Sequence, residues 1–118
     1  MNTKLKCLLL DDELPGLAYL KMLCGQIPEL EIIKAFNDPE KLLAAIPMLD
    51  FDLLISDIEM PGIDGLSLAN SLKGKLIIFA TAYKDYAADA FDMDAVDYIT
   101  KPIKLERLQK AVLKASER

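Results

Sequence analysis

The chain has 118 residues, a formal net charge of −5 and no histidine, and 53% of its residues are hydrophobic while 28% are charged. This composition suits one globular domain with its own core and excludes a disordered chain. The acidic balance argues against a nucleic-acid surface, which needs clustered Lys and Arg. No apolar run approaches the ~20 residues of a membrane span. We therefore expect a cytoplasmic domain that binds neither membrane nor nucleic acid directly.

Short apolar segments alternate with helical patterns along the whole chain. The predicted strands lie at 4–10, 30–36, 51–56, 75–81 and 95–100. The first predicted helix begins at residue 15 and ends between residues 25 and 28. The next three lie at 37–46, 64–72 and 84–93, and the last begins at residue 104. Pro15 and Pro39 suit first helical turns, and Asn37 or Asp38 is expected to cap the second helix. Five repeats of strand and helix predict an α/β fold, since right-handed crossovers then give a parallel sheet covered by helices on both faces.

Polar side chains follow the C-terminal ends of four of these strands. Asp11 and Asp12 follow the first strand, Asp57 the third, Thr81 the fourth and Lys101 the fifth. In a doubly wound sheet the ligand crevice lies outside these ends, where the strand order reverses. For a flavodoxin-like (βα)5 sheet of order 2-1-3-4-5, the reversal lies between the first and third strands. The three aspartates are therefore expected to meet there.

A crevice with three carboxylates needs a counter-ion, because otherwise at least one of them tends to be protonated. Hard oxygen ligands favour Mg²⁺, which usually binds one or two carboxylates and completes its shell with waters and phosphate oxygens. The predicted site therefore suits a phosphoryl group, with Asp57 as the nucleophile that forms an aspartyl phosphate. Lys101 can neutralise the transferred group, and the Thr81 hydroxyl can hydrogen-bond to it.

Four motifs resemble the receiver domain of two-component response regulators. They are "LLLDDE", "LLISDIEMPGIDGL", "FATAY" and "DYITKPI", and they occur in the family's order, each at the end of the matching strand. The resemblance extends over essentially the whole chain, 1–118. "FATAY" and the run "YAADAFDMDAVDYITKPIKLERL" are most similar to the LytTR-type (LytR/AlgR) branch, whose output is a DNA-binding domain.

The resemblance implies a role for each matching residue. Asp57 corresponds to the phosphate acceptor, and Tyr98 to an aromatic switch residue on the fifth strand. The implied Mg²⁺ ligands are the side chains of Asp11, Asp12 and Asp57 and the backbone carbonyl of Glu59. The implied phosphoryl-sensing groups are the side chains of Thr81 and Lys101 and the backbone amide of Ala82. The Lys101–Pro102 peptide bond is often cis in this family.

The resemblance also implies partners. The phosphoryl donor would be a phosphohistidine on a sensor histidine kinase, and a homodimer would form through the fourth helix, fifth strand and fifth helix. The chain would act as a signalling switch that catalyses only its own phosphorylation and dephosphorylation, and not as an enzyme. A LytTR-type output domain controlling transcription is expected beyond the last residue, with a stand-alone receiver acting by protein–protein contact as the alternative.

Other interpretations remain open beside these. Asp11 or Asp12 also suits a helix cap, and Tyr98 suits a core aromatic. A haloacid-dehalogenase-type phosphatase would place its nucleophile after the first strand, whereas Asp57 follows the third. A flavodoxin-like cofactor binder would need a phosphate loop after the first strand, where "DDELPGL" repels phosphate unless a metal intervenes.

Overall fold

The computed structural model describes residues 4–118, which alternate strand and helix five times. The strands are β1 (Leu5–Leu10), β2 (Leu30–Phe36), β3 (Leu53–Ser56), β4 (Leu76–Thr81) and β5 (Asp97–Thr100). The helices are α1 (Leu14–Cys24), α2 (Pro39–Ala45), α3 (Gly65–Asn70), α4 (Ala87–Asp92) and α5 (Leu105–Ser116). The α/β class predicted from the alternating pattern is confirmed.

All five strands form one parallel sheet in the order β2-β1-β3-β4-β5, as predicted. Strand β1 pairs with both β2 and β3, so the direction of winding reverses there. Because the strands are parallel, their C-terminal ends share one edge of the sheet. The residues that follow β1, β3, β4 and β5 therefore gather at this edge.

Two apolar layers cover the two faces of the sheet. Along β1, Cys7 and Leu9 pack into the layer built with α1 and α5, while Leu8 and Leu10 pack into the layer built with α2, α3 and α4. All four of these side chains are fully buried. A strand covered on both faces reads as a continuous apolar run, which explains the sequence pattern of β1.

The helices differ from the prediction mainly at their ends. Asp38, rather than Asn37, caps α2, its carboxylate accepting the Glu40 N–H at 3.0 Å. Helix α2 gives way to a 3₁₀ turn, Ile46–Met48, where Pro47 has no N–H to continue the α-helical pattern. Helix α4 has six residues, fewer than predicted. Within residues 4–118, no helix is both long enough and apolar enough to cross a membrane.

Candidate functional site

Three aspartates cluster at the C-terminal edge of the sheet. Asp11 and Asp12 directly follow β1, and Asp57 directly follows β3, the strand paired with it. One carboxylate oxygen from each lies within 4.8 Å of the other two. Asp11 is 2% exposed and Asp57 7%, while Asp12 is partly exposed. The neighbouring ends of β1 and β3 therefore bring together the carboxylates that the strand order led us to expect at one crevice.

Lys101 supplies a cation to this cluster from the end of β5. Its Nζ lies 2.8 Å from Asp11 Oδ2 and 3.0 Å from Asp57 Oδ2. Burial alone would lower the pKa of Lys101, but its hydrogen bonds to Asp11 and Asp57 outweigh burial and raise that pKa. The Lys101–Pro102 peptide bond is cis. The contacts with Asp11 and Asp57 hold the Lys101 ammonium group beside the Asp57 carboxylate.

The donor set fits a divalent cation. Burial, together with the nearby charge of Asp11, raises the pKa of Asp12. The negative charge of an ionised Asp12 is therefore not fully balanced by the cation nearby. Asp11 Oδ1 accepts the Glu13 N–H at 3.0 Å, and Asp57 Oδ1 accepts the Ile58 N–H at 2.7 Å. Three carboxylates against one ammonium group leave an excess of negative charge. Clustered carboxylate oxygens with excess negative charge are the setting in which Mg²⁺ binds, and this cluster could hold one.

Two glycines lie so close to Asp11 and Asp57 that a side chain at either position would collide with them. A Cβ on Gly16, in α1, would lie 2.6 Å from Asp11 Oδ2. A Cβ on Gly65, at the start of α3, would overlap the carbonyl oxygen of Asp57 and lie 2.8 Å from the Ile58 Cα. The Gly65 N–H also donates to the Ile58 carbonyl at 2.6 Å. Glycine at these two positions therefore allows the helices to approach the cluster closely.

The other residues implied by the resemblance lie at the same edge of the sheet. Thr81 is fully buried at the end of β4, and its Oγ1 accepts the Tyr83 N–H at 3.4 Å. Ala82 and Glu59 are exposed on the loops that follow β4 and β3. Thr81 and Lys101 thus stand at the ends of adjacent strands, and Lys101 contacts the cluster.

Tyr98 lies on β5, partly buried beneath the loop between β4 and α4. Its ring packs against the Phe79 ring with centroids 6.4 Å apart. Its hydroxyl donates to the backbone carbonyl of Tyr83. Burial raises the pKa of Tyr98, so the hydroxyl stays a donor at neutral pH. The tyrosine on the fifth strand therefore contacts the loop that begins at Thr81.

Two polar contacts escaped the sequence analysis. Asp97, 6% exposed on β5, accepts two hydrogen bonds of 2.7 Å from Arg107 of α5. Burial would raise the pKa of Asp97, but these bonds, with those from the Tyr98 N–H and Lys114, lower it to about 2. The second joins the loop after β3 to the loop after β4, where the Tyr86 hydroxyl donates to Glu59 Oε2 at 2.8 Å. No motif or periodicity signals either pair, since each joins residues of two different elements.

Taken together, the fold and site define a class of protein. They describe a doubly wound five-stranded α/β domain whose acidic cluster and single lysine meet at the C-terminal edge of the sheet. Asp57, the nucleophile candidate, is in contact with the lysine and beside a potential cation site. An acidic cluster beside a fixed cation suits the transfer of a phosphoryl group to a carboxylate.

Comparison with known proteins identifies the family. Residues 7–113 match the response regulator receiver domain, so the chain belongs to that family and is a signalling switch of the response regulator type. The response regulatory domain of mrkE from Klebsiella pneumoniae shares the fold with a TM-score of 0.86 and 30% sequence identity, covering 95% of each chain. The family implied by the four motifs is therefore confirmed.

Curated relatives fall in the branch that the motifs indicated. The positive alginate biosynthesis regulatory protein of Pseudomonas aeruginosa is 36% identical over 114 residues, spanning 92% of this chain and 46% of the relative. Sensory transduction protein LytT of Bacillus cereus is 38% identical over 114 residues, spanning 93% of this chain and 46% of the relative. The chain thus spans about half the length of the curated relatives it matches.

Proposed function

We propose that this domain accepts a phosphoryl group on Asp57 and that phosphorylation changes the conformation of the domain's surface. The observation that carries the proposal is the environment of one carboxylate oxygen. Asp57 Oδ2 lies 3.0 Å from Lys101 Nζ, and the carboxylates of Asp11 and Asp12 stand beside it. Such a site combines a nucleophile, a fixed positive charge and ligands for a cation.

The proposed donor is a phosphohistidine on a sensor histidine kinase, since this chain has no histidine of its own. An Asp57 carboxylate oxygen attacks phosphorus, the bond from phosphorus to the imidazole nitrogen breaks, and its electron pair returns to the ring, which takes a proton from solvent. The Lys101 ammonium group neutralises part of the negative charge of the transferred group, and the Thr81 hydroxyl donates a hydrogen bond to it. Positioning and charge compensation account for most of the catalysis in such transfers.

Mg²⁺ is the cofactor we assign to the acidic cluster. Asp11, Asp12 and Asp57 would hold it with their side chains, and Glu59 would contribute its backbone carbonyl. When bound, Mg²⁺ supplies neutralisation of the phosphoryl oxygens. The protein's own part is to hold three carboxylates close together, with Lys101 in contact with two of them.

Phosphoryl uptake should depend on the cation. We expect the protein to incorporate label from acetyl phosphate in Mg²⁺ and to incorporate almost none in EDTA, since the acceptor site otherwise repels the anion. Asp12→Asn should reduce uptake strongly because it removes one ligand. Uptake that is equally fast in EDTA would contradict both the cofactor and the proposed chemistry.

Thermal melting gives the control for this experiment. Mg²⁺ should stabilise the folded domain by about 1.4 kcal/mol when its free concentration is tenfold above Kd. Asp12→Asn should remove most of that stabilisation, whereas Glu29→Gln, an exposed change just before β2 at the opposite edge of the sheet, should keep it. A melting temperature that does not respond to saturating Mg²⁺ would rule out the metal site.

We further propose that the domain controls transcription through an output domain of the LytTR type. This proposal is supported by the relatives, which are named as a biosynthesis regulator and a sensory transduction protein and are about twice as long as this chain. DNA binding would then belong to the additional part of the protein. A stand-alone receiver acting through protein contacts is the second candidate, and sequencing the reading frame beyond Arg118 distinguishes them.

The surface formed by α4, β5 and α5 is the proposed dimer interface. The α4 side carries exposed acidic residues, which are Asp85, Asp89, Asp92 and Asp94. The α5 side carries the exposed basic residues Lys104, Lys110, Lys114 and Arg118, together with the exposed acidic residues Glu106 and Glu117. Phe91 and Leu113 are exposed by 68% and 52%. A twofold arrangement would set the acidic helix of one copy against the basic helix of the other, around two apolar contacts.

Sedimentation of this domain should show a weak homodimer that phosphorylation strengthens. We expect the dimer fraction to rise when beryllofluoride and Mg²⁺ are added, because the phosphoryl analogue draws Thr81 and the β4–α4 loop toward Asp57. Phe91→Ala should reduce the dimer fraction, whereas Met48→Ala, an exposed change outside this surface, should not. A monomeric mass at high concentration in both states would exclude the interface.

A further inference from the structure

One hydrogen bond ties helix α1 to the loop that carries Lys101. The Tyr19 hydroxyl, on α1, donates to the backbone carbonyl of Ile103 at 2.7 Å, across 84 residues of chain. Ile103 lies two residues after Lys101, on the loop between β5 and α5. We call this contact the α1–loop bond. It links the helix that follows the acidic pair to the segment that supplies the cation of the site.

The α1–loop bond reaches a carbonyl that has little access to water. Ile103 is 3% exposed and packs in the same apolar layer as Leu17 and Leu20 of α1. Tyr19 itself is 43% exposed, so the tyrosine lies at the surface and donates to a residue of the core. Removing the hydroxyl would leave a shielded carbonyl without its donor, which costs more than losing an exposed hydrogen bond.

The loop is anchored at two points close to Lys101. At its start, the Lys101 N–H donates to the Thr81 carbonyl at 2.8 Å. Two residues later, the Ile103 carbonyl accepts the Tyr19 hydroxyl. Lys104, which precedes α5, makes no side-chain capping hydrogen bond. Tyr19 is therefore a side-chain anchor of a loop whose other anchor is the backbone of β4.

These contacts form a closed ring around the acidic cluster. Lys101 Nζ lies 2.8 Å from Asp11 Oδ2 and 3.0 Å from Asp57 Oδ2. Asp11 lies against α1, since a Cβ on Gly16 would come within 2.6 Å of the same Asp11 oxygen. Helix α1 thus contacts Asp11 and, three residues further along, the loop of Lys101. The position of the ammonium group relative to the Asp57 carboxylate depends on both contacts.

We propose that Tyr19 is a positioning residue for phosphoryl transfer, which holds the β5–α5 loop against α1 and thereby keeps the Lys101 ammonium group beside Asp57. This inference rests on the proposed function. The Tyr19 hydroxyl bonds to the loop and not to Asp57, so it acts through Lys101. Without the α1–loop bond, the ammonium group would spend less time where it compensates the charge of the phosphoryl oxygens. The loss should therefore appear in the binding of a phosphoryl group.

Two binding affinities, for beryllofluoride and for Mg²⁺, test the inference, and calorimetric titration measures both. Tyr19→Phe keeps the ring and removes the donor. In saturating Mg²⁺ we expect it to weaken the binding of beryllofluoride, which stands in for the phosphoryl group, about two- to ten-fold, the range for loss of one hydrogen bond. Mg²⁺ affinity should not fall, because Lys101 is a cation in the same cluster and loosening it cannot weaken the binding of another cation. General loosening of the fold would weaken both affinities, since both need the three carboxylates close together.

Met22→Ala is the matched control, because it changes an exposed residue of the same helix. Both of its affinities should equal those of the wild type. Beryllofluoride affinity that is unchanged in Tyr19→Phe, or Mg²⁺ affinity that weakens along with it, would overturn the positioning role. A wild-type protein that neither takes up label from acetyl phosphate nor binds beryllofluoride would instead overturn the proposed function, and this inference with it.

Discussion

Asp57→Asn is expected to abolish phosphoryl uptake from acetyl phosphate or a cognate kinase while leaving the fold intact. The amide has no ionised oxygen to attack phosphorus, so the acyl phosphate cannot form. Asn has nearly the same shape as Asp, and its Oδ1 can still accept the Ile58 N–H, which Asp57 accepts at 2.7 Å. Removing one of three clustered carboxylates also relieves their repulsion. The measurement is the amount of label incorporated into the protein. Sensitivity of the label to hydroxylamine identifies it as acyl phosphate.

Asp50→Asn provides the matched control for this experiment. Asp50 is an exposed carboxylate that lies before β3, whereas Asp57 lies after it. Its Oδ2 is 2.8 Å from Lys6 Nζ at the surface. Exposed pairs of this kind contribute about 0–1 kcal/mol, so the variant should fold and take up label normally. Normal hydroxylamine-sensitive labelling of Asp57→Asn would show that another residue is the acceptor.

Arg107→Met is expected to destabilise the domain at pH 7 by about 1–3 kcal/mol, the range for a buried group that loses its hydrogen-bond partner. The substitution removes both 2.7 Å hydrogen bonds to the Asp97 carboxylate and a third, of 3.2 Å, to the Tyr98 carbonyl. Lys114, 3.2 Å from Asp97, stays as a weaker partner. A buried carboxylate that loses its main partner is costly. Chemical denaturation at pH 7 measures the difference in the free energy of unfolding.

The same pair predicts how the difference depends on pH. The pKa of Asp97 is about 2 in the folded protein, below its ordinary value of 3.8. A lowered pKa contributes stability that is fully present above pH 4 and is lost as pH falls toward 2. The difference in the free energy of unfolding between the wild type and Arg107→Met should therefore become smaller as pH falls from 4 to 2.

Lys110→Met is the control, because it removes an exposed cation from the same helix. It should change the free energy of unfolding little at any pH. An equal effect of the two substitutions at pH 7 would show that the Asp97 pair is not stabilising.

Local patterns in the sequence were sufficient for the architecture. The apolar runs of β1 and β4 and the prolines and glycines between elements predicted five strand–helix units, because each signal depends only on neighbouring residues. The element ends were less predictable. Helix α4 is six residues long and β3 begins at Leu53, since the length of these elements depends on pairing with neighbours elsewhere in the chain.

Much of the candidate site also followed from the sequence. Parallel strands place their C-terminal ends at one edge, so Asp11, Asp12 and Asp57 were expected to meet before any distance was known. The four motifs then indicated the family and, with it, the part proposed for each residue. The geometry added what no motif contains, namely that Lys101 contacts both Asp11 and Asp57.

By itself, therefore, the sequence determined the α/β class and the polar residues at the strand ends, because these depend on periodicity and on local order along the chain. The resemblance of the four motifs added the receiver family and, with it, the strand order. Only the tertiary structure decided three further features. They are the bridge from Glu59 to Tyr86, the pairing of Asp97 with Arg107, and the close approach that requires glycine at position 65. Each depends on the distance between atoms of different elements. Such distances arise only when the helices and loops pack against the finished sheet.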